Sequence, residues 1–383
     1  MNVPVENLYY LLCYAWDRLD AIDLVDVDSV GGLEPDALLA QMLRDAVGAL
    51  LKRGLDRGYV DRSDDLRVPR GKLDLGSTLK RNLRLQKRVA CDFDEFERDV
   101  LHNRLIKSTL LRLARVASLR RGMRTDLHQL AQRMTGVAVV EVRPDSFGRV
   151  RLHRNNAHYA FALAVCELVH RHLLPAQVAG EWRVQDFRGS DREMGHLFEA
   201  FVRNFVRREM PDVRPIRPRT YRWRAEAVGD SPPELLPRLV TDIPLRLGDG
   251  RVIVECKFTK HPLMTNQSGK KRLRPSHLNQ LFAYLSNVGT EWRPPAAGLL
   301  LYAAVHEDLD LHYRVHGRDV LVRTVDLARP WRVIHAQLEG LLRDALAPRP
   351  RSSRGVSRST RVRWSDPSDP DGPPRRGRQP ASR

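Results

Sequence analysis

Residues 239–258 read Leu239-Val240-Thr241-Asp242-Ile243-Pro244-Leu245-Arg246-Leu247-Gly248-Asp249-Gly250-Arg251-Val252-Ile253-Val254-Glu255-Cys256-Lys257-Phe258. Two β-rich runs flank a glycine turn, the signal for a hairpin. Side chains alternate along a strand, so Glu255 and Lys257 share one face while Val254, Cys256 and Phe258 take the other. Closing the hairpin on a two- or three-residue loop pairs Asp242 with position 257 or 256. Either register draws Asp242, Glu255 and Lys257 together at a sheet edge.

Two carboxylates and an ammonium suit phosphodiester hydrolysis. Hard oxygen ligands hold Mg²⁺, which keeps several waters and takes one or two protein carboxylates. A neighbouring lysine can orient or deprotonate the attacking water. The spacing is that of the nuclease signature PD-(D/E)xK, with Thr241 in place of its leading proline. A bare match of this kind is also what a salt-bridged polar strand face looks like. Three features favour the chemical reading. Val252-Ile253-Val254 predicts a buried strand, where a solvated charged face is out of place. A helix over Arg192–Arg208 supplies Glu199 within Leu197-Phe198-Glu199-Ala200-Phe201. A helix over Pro275–Leu285 carries Gln280 and Tyr284 one turn apart on one face. Asp242 and Glu255 are expected to ligate Mg²⁺ and Lys257 to position water. Glu199 is expected to assist, and Gln280 to orient the lysine or the DNA.

Working outward, the pattern of helix, hairpin, helix and strand (Gly298–Ala304), closed by a helix from about Pro330 to Leu346, is α/β. Upstream, an α+β region is expected. It has helices near Asn7–Leu19, Asp36–Arg53 (Asp36 as N-cap, Gly54 as stop), Asp99–Leu119 and Asn155–Leu174. Between them lies a β-rich stretch through Leu66-Arg67-Val68 and Lys72-Leu73-Asp74-Leu75, with a further strand over Arg84–Cys91. Pro175–Gly180 reads as a connector, giving domains at 1–176 and 177–347. The chain of 383 residues carries 65 Lys+Arg against 47 Asp+Glu, a net +18 that predicts polyanion partners. Residues 348–383 hold ten Arg, three Asp and seven Pro, so this tail is expected to be disordered. Cys13, Cys91, Cys166 and Cys256 form no C-x-x-C pair and read as reduced thiols. The N-terminus has no signal-peptide pattern, and the apolar patch Leu8–Trp16 is too short for a membrane span. A soluble, cytoplasmic protein is expected.

Other clusters admit two readings. Arg214, Arg217, Arg219, Arg222 and Arg224, with Tyr221 and Trp223 between them, alternate as on a strand. They suit either a phosphate track or a solvated edge strand. Lys257, Lys260, Lys270, Lys271, Arg272 and Arg274 read as a mobile loop over DNA. Arg219, Arg222, Arg224, Lys260 and Lys271 are the residues expected on the nucleic acid. Phe93-Asp94-Glu95-Phe96-Glu97 reads as a turn before a helix, and Pro69-Arg70-Gly71-Lys72 as a β-turn or a basic loop touching a partner. His158, His170 and His172 lack zinc-ligand spacing.

The opening Asn7-Leu8-Tyr9-Tyr10-Leu11-Leu12-Cys13-Tyr14-Ala15-Trp16-Asp17 strongly resembles that of the McrC family, the nuclease subunits of McrBC-type, modification-dependent restriction systems. The resemblance runs on through Pro69–Asp74, Asp94-Glu95-Phe96, Asp99, Asn103–Lys107, the Leu-Phe-Glu helix, Thr241-Asp242-Ile243, Glu255-Cys256-Lys257 and the Gln280 helix. It spans about residues 1–345 and leaves out the tail. It implies that the family's catalytic acids and lysine fall on Asp242, Glu255 and Lys257; some members carry Asp at the Glu255 position. It also implies a separate GTP-hydrolysing AAA+ subunit of the McrB type. That subunit would bind the N-terminal half, be stimulated by it, and recognise DNA carrying modified cytosine. The chain itself has no G-x-x-x-x-G-K-[ST] phosphate loop. The competing expectation is a DNA-binding scaffold that activates the partner and cuts nothing. An RNA-binding role would call for aromatic-rich sheet motifs, against only 7% aromatic residues.

Overall fold

A computed structural model describes residues 3–19, 34–175, 182–217, 219–265, 269–288, 296–304 and 308–347. The basic tail and most of the connector at 175–180 lie outside the described residues. The first half opens with helices α1 (Val5–Ala15) and α2 (Pro35–Arg53). Leu38, Leu39, Met42, Leu43, Ala46, Val47 and Leu50 of α2 are buried on its apolar stripe. Glu34, not Asp36, stands at the N-cap, because Pro35 takes the first helical position. Asp36 is buried in the first turn, where it accepts hydrogen bonds from its neighbour Ala37 N and from Ser118. Gly54 ends the helix at a φ of +93°.

Strands β1 (Gly58–Leu66), β2 (Lys72–Asp74) and β3 (Val89–Glu97) form an antiparallel sheet in the order β1-β3-β2, with the short helix α3 (Leu75–Lys80) between β2 and β3. The expected strand over 84–91 starts only at Val89, since Leu83–Gln86 forms a 3-10 turn. Phe93–Glu97 is the middle strand of the sheet rather than a turn. Cross-strand partners make that possible: Phe96 lies against Tyr59 with ring centroids 5.2 Å apart, and Glu97 pairs with Arg62. Gly71, between β1 and β2, has a φ of +69°, and a Cβ there would come within 2.4 Å of Asp92 O.

Three helices follow, α4 (Leu101–Leu113), α5 (Arg121–Arg133) and α6 (Ala160–His172). The single helix expected over 99–119 stops at Leu113. Tertiary pairing is the cause, since the backbone at 115–117 bonds with Trp182 instead, through Trp182 N to Arg115 O at 3.2 Å and Ala117 N to Trp182 O at 3.3 Å. Strands β4 (Leu173–Pro175) and β5 (Trp182–Val184) then pair with each other.

Helix α7 (Asp191–Glu209) leads the second half, capped by Ser190 accepting from Glu193 N. After it come β6 (Arg214–Pro215), β7 (Thr220–Tyr221), β8 (Leu239–Val240), β9 (Ile243–Leu247), β10 (Gly250–Phe258), β11 (Leu263–Thr265), β12 (Lys271–Leu273), α8 (Pro275–Asn287), β13 (Ala297–Ala304), β14 (Asp310–Val315), β15 (Arg318–Asp326) and α9 (Trp331–Leu346). The main sheet has the order β14-β15-β13-β10-β9-β6, with β10, β13 and β15 mutually parallel. This is an α/β architecture. Val252, Val254, Cys256 and Phe258 of β10 join the core that includes Phe198, Phe201, Ile334 and Leu338 of α7 and α9. Ile253 joins Leu281 and Leu285 of α8 on the opposite face. Both faces of β10 are therefore covered, which explains its unbroken apolar run.

Helix α1 packs into the second half. Tyr10 stacks on Trp331 with centroids 4.7 Å apart, and Tyr14 meets Phe201 edge-on. Asn7 Nδ2 donates to Leu327 O and Arg329 O, both at 2.8 Å, and Asn204 Nδ2 donates to Tyr14 O and Ala15 O. The first motif in the chain thus braces α7 and α9. Among the described residues no helix is long and apolar enough to cross a membrane.

Candidate active site

The β9–β10 hairpin fixes the site. Leu247 pairs with Gly250 and Ile243 with Val254 in antiparallel register. Gly250 already belongs to β10, so the loop is Gly248-Asp249, with Gly248 at a φ of +55° that glycine adopts without strain. Continued one step, this register sets Asp242 opposite Glu255, not opposite 256 or 257 as expected. The ladder ends at Ile243, and the Asp242 carboxylate takes the next bond, with Oδ2 accepting from Cys256 N at 3.0 Å. The backbone before it is held by Thr241 N donating to Arg219 O at 2.9 Å.

Glu255 is 1% exposed, on the α8 side of β10. Lys257 Nζ donates to Glu255 Oε1 at 2.6 Å and to Gln280 Oε1 at 2.9 Å. Gln280 Nε2 in turn donates to the Tyr284 hydroxyl at 2.8 Å, so one helical turn of α8 orients the lysine. Glu255 Oε2 is buried and accepts no hydrogen bond. A buried carboxylate oxygen without a donor is costly, and such atoms mark a place for a missing partner. Burial, and then the negative charge of Asp242, push Glu255 up to about 7. Burial and then the charge of Glu199 push Asp242 up to about 6. Both shifts come first from burial, with a neighbouring like charge adding to it and the Lys257 charge opposing it. Among the described residues no three His, Cys, Asp or Glu side chains form a metal-binding group. The donor set is a carboxylate pair, which fits a hard cation that retains water.

Glu199 reaches this end of the sheet from α7, but its carboxylate is engaged by Arg203 and lies 3.8 Å from Arg219 Nη1. Arg219 Nη1 also donates to Asp242 O at 2.9 Å, so this arginine lines the site itself. The strand expected over 214–224 is absent: β6 and β7 are two-residue pieces in different sheets. Arg222 and Arg224 are exposed, on irregular chain that docks on α8 through Arg224 N and Asn287 Oδ1 at 2.7 Å. Lys260 is exposed just past β10. Lys271 sits on the β11–β12 hairpin, where a loop was expected; backbone pairing from Leu263–Leu273 to Thr265–Lys271 gives the segment regular structure.

The four cysteines are buried, and none forms a disulfide. His170 is tied to Thr109 and Arg112 in the helical half, and His172 lies against the Phe187 ring. Sequence reasoning passed over Arg203 and His277. The second lies three residues before Gln280, so helical spacing alone puts it on the same face.

A family model described as "McrBC 5-methylcytosine restriction system component" matches residues 19–303. The chain belongs to this family. Its McrBC relatives include the "Type IV methyl-directed restriction enzyme EcoKMcrBC" of Escherichia coli (strain K12), 29% identical over 337 residues that cover 88% of this chain and 96% of the relative. Among solved structures, a half-complex from a tetradecameric assembly of Thermococcus gammatolerans McrB AAA+ hexamers with bound McrC shares the fold. The TM-score is 0.51 at 16% identity, over 89% of this chain and 75% of that one. A cryo-EM structure of the Thermococcus gammatolerans McrBC complex aligns at a TM-score of 0.38 and 18% identity, over 54% of this chain and 58% of that one.

Proposed function

We propose that this McrBC-family chain is the Mg²⁺-dependent DNA endonuclease subunit of a two-component, modification-dependent restriction system. The observation that carries this reading is the buried Glu255, with Oε2 unpartnered and Oε1 on Lys257, facing Asp242 near the carboxyl end of a central strand. Ligands of open α/β sheets bind at that end. Asp242 and Glu255 would hold Mg²⁺ within a PD-(D/E)xK domain at 177–347. When bound there, the ion supplies Lewis-acid polarisation of the phosphoryl oxygen. Lys257, as an ammonium, holds and orients the attacking water and offsets the charge that develops on the phosphoryl group. Gln280, fixed by Tyr284, keeps the ammonium aimed, and Glu199 with Arg203 and Arg219 sets the charge around Asp242. Arg222, Arg224, Lys260 and Lys271 carry the DNA backbone past the site.

The rest of the machine follows from the relatives. The structure of McrB AAA+ hexamers with bound McrC supports an AAA+ partner of the McrB type, to which we assign the GTP hydrolysis. We assign residues 1–176 to binding it, and the methyl-directed relative supports modified cytosine as the trigger.

The test is cleavage of a methylated plasmid in Mg²⁺, with the AAA+ partner and GTP, by wild type and Lys257→Ala. The expected result is cutting by wild type, a loss of roughly a thousandfold in the variant, and unchanged GTPase stimulation by both. Wild type that stimulates GTPase but never cuts would leave a DNA-binding scaffold as the better reading.

A further inference from the structure

Tyr302 of β13 is the register partner of Lys257 on β10 and is wholly buried. Its hydroxyl meets His277 Nδ1 at 2.9 Å, the contact that satisfies this buried O–H. With Nδ1 as acceptor, the ring proton sits on Nε2, and the imidazole is a neutral N–H donor in one tautomer. His277 is half-buried in the first turn of α8, one turn before Gln280, which itself bonds Lys257. Burial, and then the charges of Lys257 and Arg274, hold the imidazole down to about 4. A protonated ring would be repelled by both cations. A neutral donor beside the lysine adds a directed hydrogen bond without adding charge that would compete with a bound metal.

We propose that His277 is a further DNA-contacting residue of this site, its Nε2–H, fixed by the Tyr302 hydroxyl on the opposite ring nitrogen, donating to a phosphate oxygen of the strand that Lys257 faces. Tyr302 is then a positioning residue, acting only through the ring. The proposal rests on the nuclease reading, deepens it, and is testable apart from it.

The experiment compares full-length wild type, His277→Ala, His277→Gln and Tyr302→Phe in two assays. One is affinity for a fluorescent 30-base-pair duplex in Ca²⁺, which reads binding without cutting. The other is the split of KM and kcat for methylated-plasmid cleavage in Mg²⁺ with the AAA+ partner and GTP. His277→Ala is expected to weaken duplex affinity and raise KM about tenfold, the size of one hydrogen bond to a charged group, with kcat within threefold. His277→Gln, which keeps an N–H donor, recovers most of the loss. Tyr302→Phe gives a smaller loss, because the freed ring can change tautomer and no longer presents Nε2–H in one fixed state. A merely structural role would lower GTPase stimulation in step and would not be rescued by glutamine, and that pattern overturns the proposal. So does a change under twofold in both affinity and KM for His277→Ala. Should wild type fail to cut, the nuclease reading falls, while the Ca²⁺ binding data still decide whether His277 touches DNA.

Discussion

Two buried carboxylates in this chain have opposite fates. Asp99, 7% exposed in the helical half, accepts two bonds from Arg104 at 2.8 Å and a third from Ala138 N at 2.7 Å. Burial alone would raise its pKa, but those donors outweigh it and hold the carboxyl below the usual range. Glu255, 1% exposed, has one lysine on one oxygen, nothing on the other, and Asp242 facing it. Its pKa rises to about 7, first from burial and then from Asp242. Burial is similar in the two places; satisfaction is not. The helical half has spent its donors on stability, whereas the carboxyl end of the central strand β10 leaves a buried acceptor without a donor.

The largest effect that would sharpen this contrast is that of Glu255→Gln. It should lower DNA cutting about a thousandfold while leaving the melting temperature in EDTA unchanged or higher, since a repelled, partly unpartnered charge is gone. A melting temperature that collapses along with activity would mean Glu255 is a structural ion-pair residue, and the contrast would break.

Next in size is Asp99→Asn. Arg104 is partly exposed, so weakening this charge-assisted pair should cost about 1.5–3 kcal/mol, and urea unfolding should read a loss of that order. Cutting per folded molecule should stay within about twofold, because Asp99 is far in sequence from the end of β10 and no part of its bonding reaches it. Near-wild-type stability would show that Arg104 finds another partner and that the knot is not what it looks like.

How far the sequence foretold these two regions differs for a physical reason. The hairpin, the Glu255/Lys257 face and the Gln280 turn depend on period-2 and period-3.6 spacing, which a single chain displays openly. The exact register did not come through, because a Gly-Asp-Gly turn closes equally well with either glycine in the strand, and only cross-strand packing chooses. Acidic β3 looks like a turn in sequence because its support, Tyr59 and Arg62, comes from a strand some 35 residues earlier. The break between α4 and α5 is set by Trp182, still further away in sequence. The N-terminal motif was legible as a family signature. Its structural use was not, because Asn7 and Tyr14 find their partners in α7 and beyond residue 326.

The smallest effect is also the most direct reading of the two carboxylates, their dependence on pH. Glu255 has a folded pKa of about 7 against an ordinary 4.5, and Asp242 about 6 against 3.8. A raised pKa contributes stability that is present below the unfolded value and lost as pH rises through the folded one. In EDTA the melting temperature should therefore fall as pH rises from about 4 through about 7, the window between the ordinary and the raised values of the two acids. Asp99 works the other way, and its contribution is lost only as pH drops below the ordinary aspartate range. In Glu255→Gln the decline toward pH 7 should shrink by more than half. Adding Mg²⁺ to wild type at pH 8 should restore what the rise in pH removed, since a cation between the carboxylates favours their charged forms. A wild-type curve that is flat from about pH 4 to about 7, unmoved by Mg²⁺, would mean that the two acids are satisfied in solution by something other than a metal, and the end of β10 would then resemble the helical knot after all.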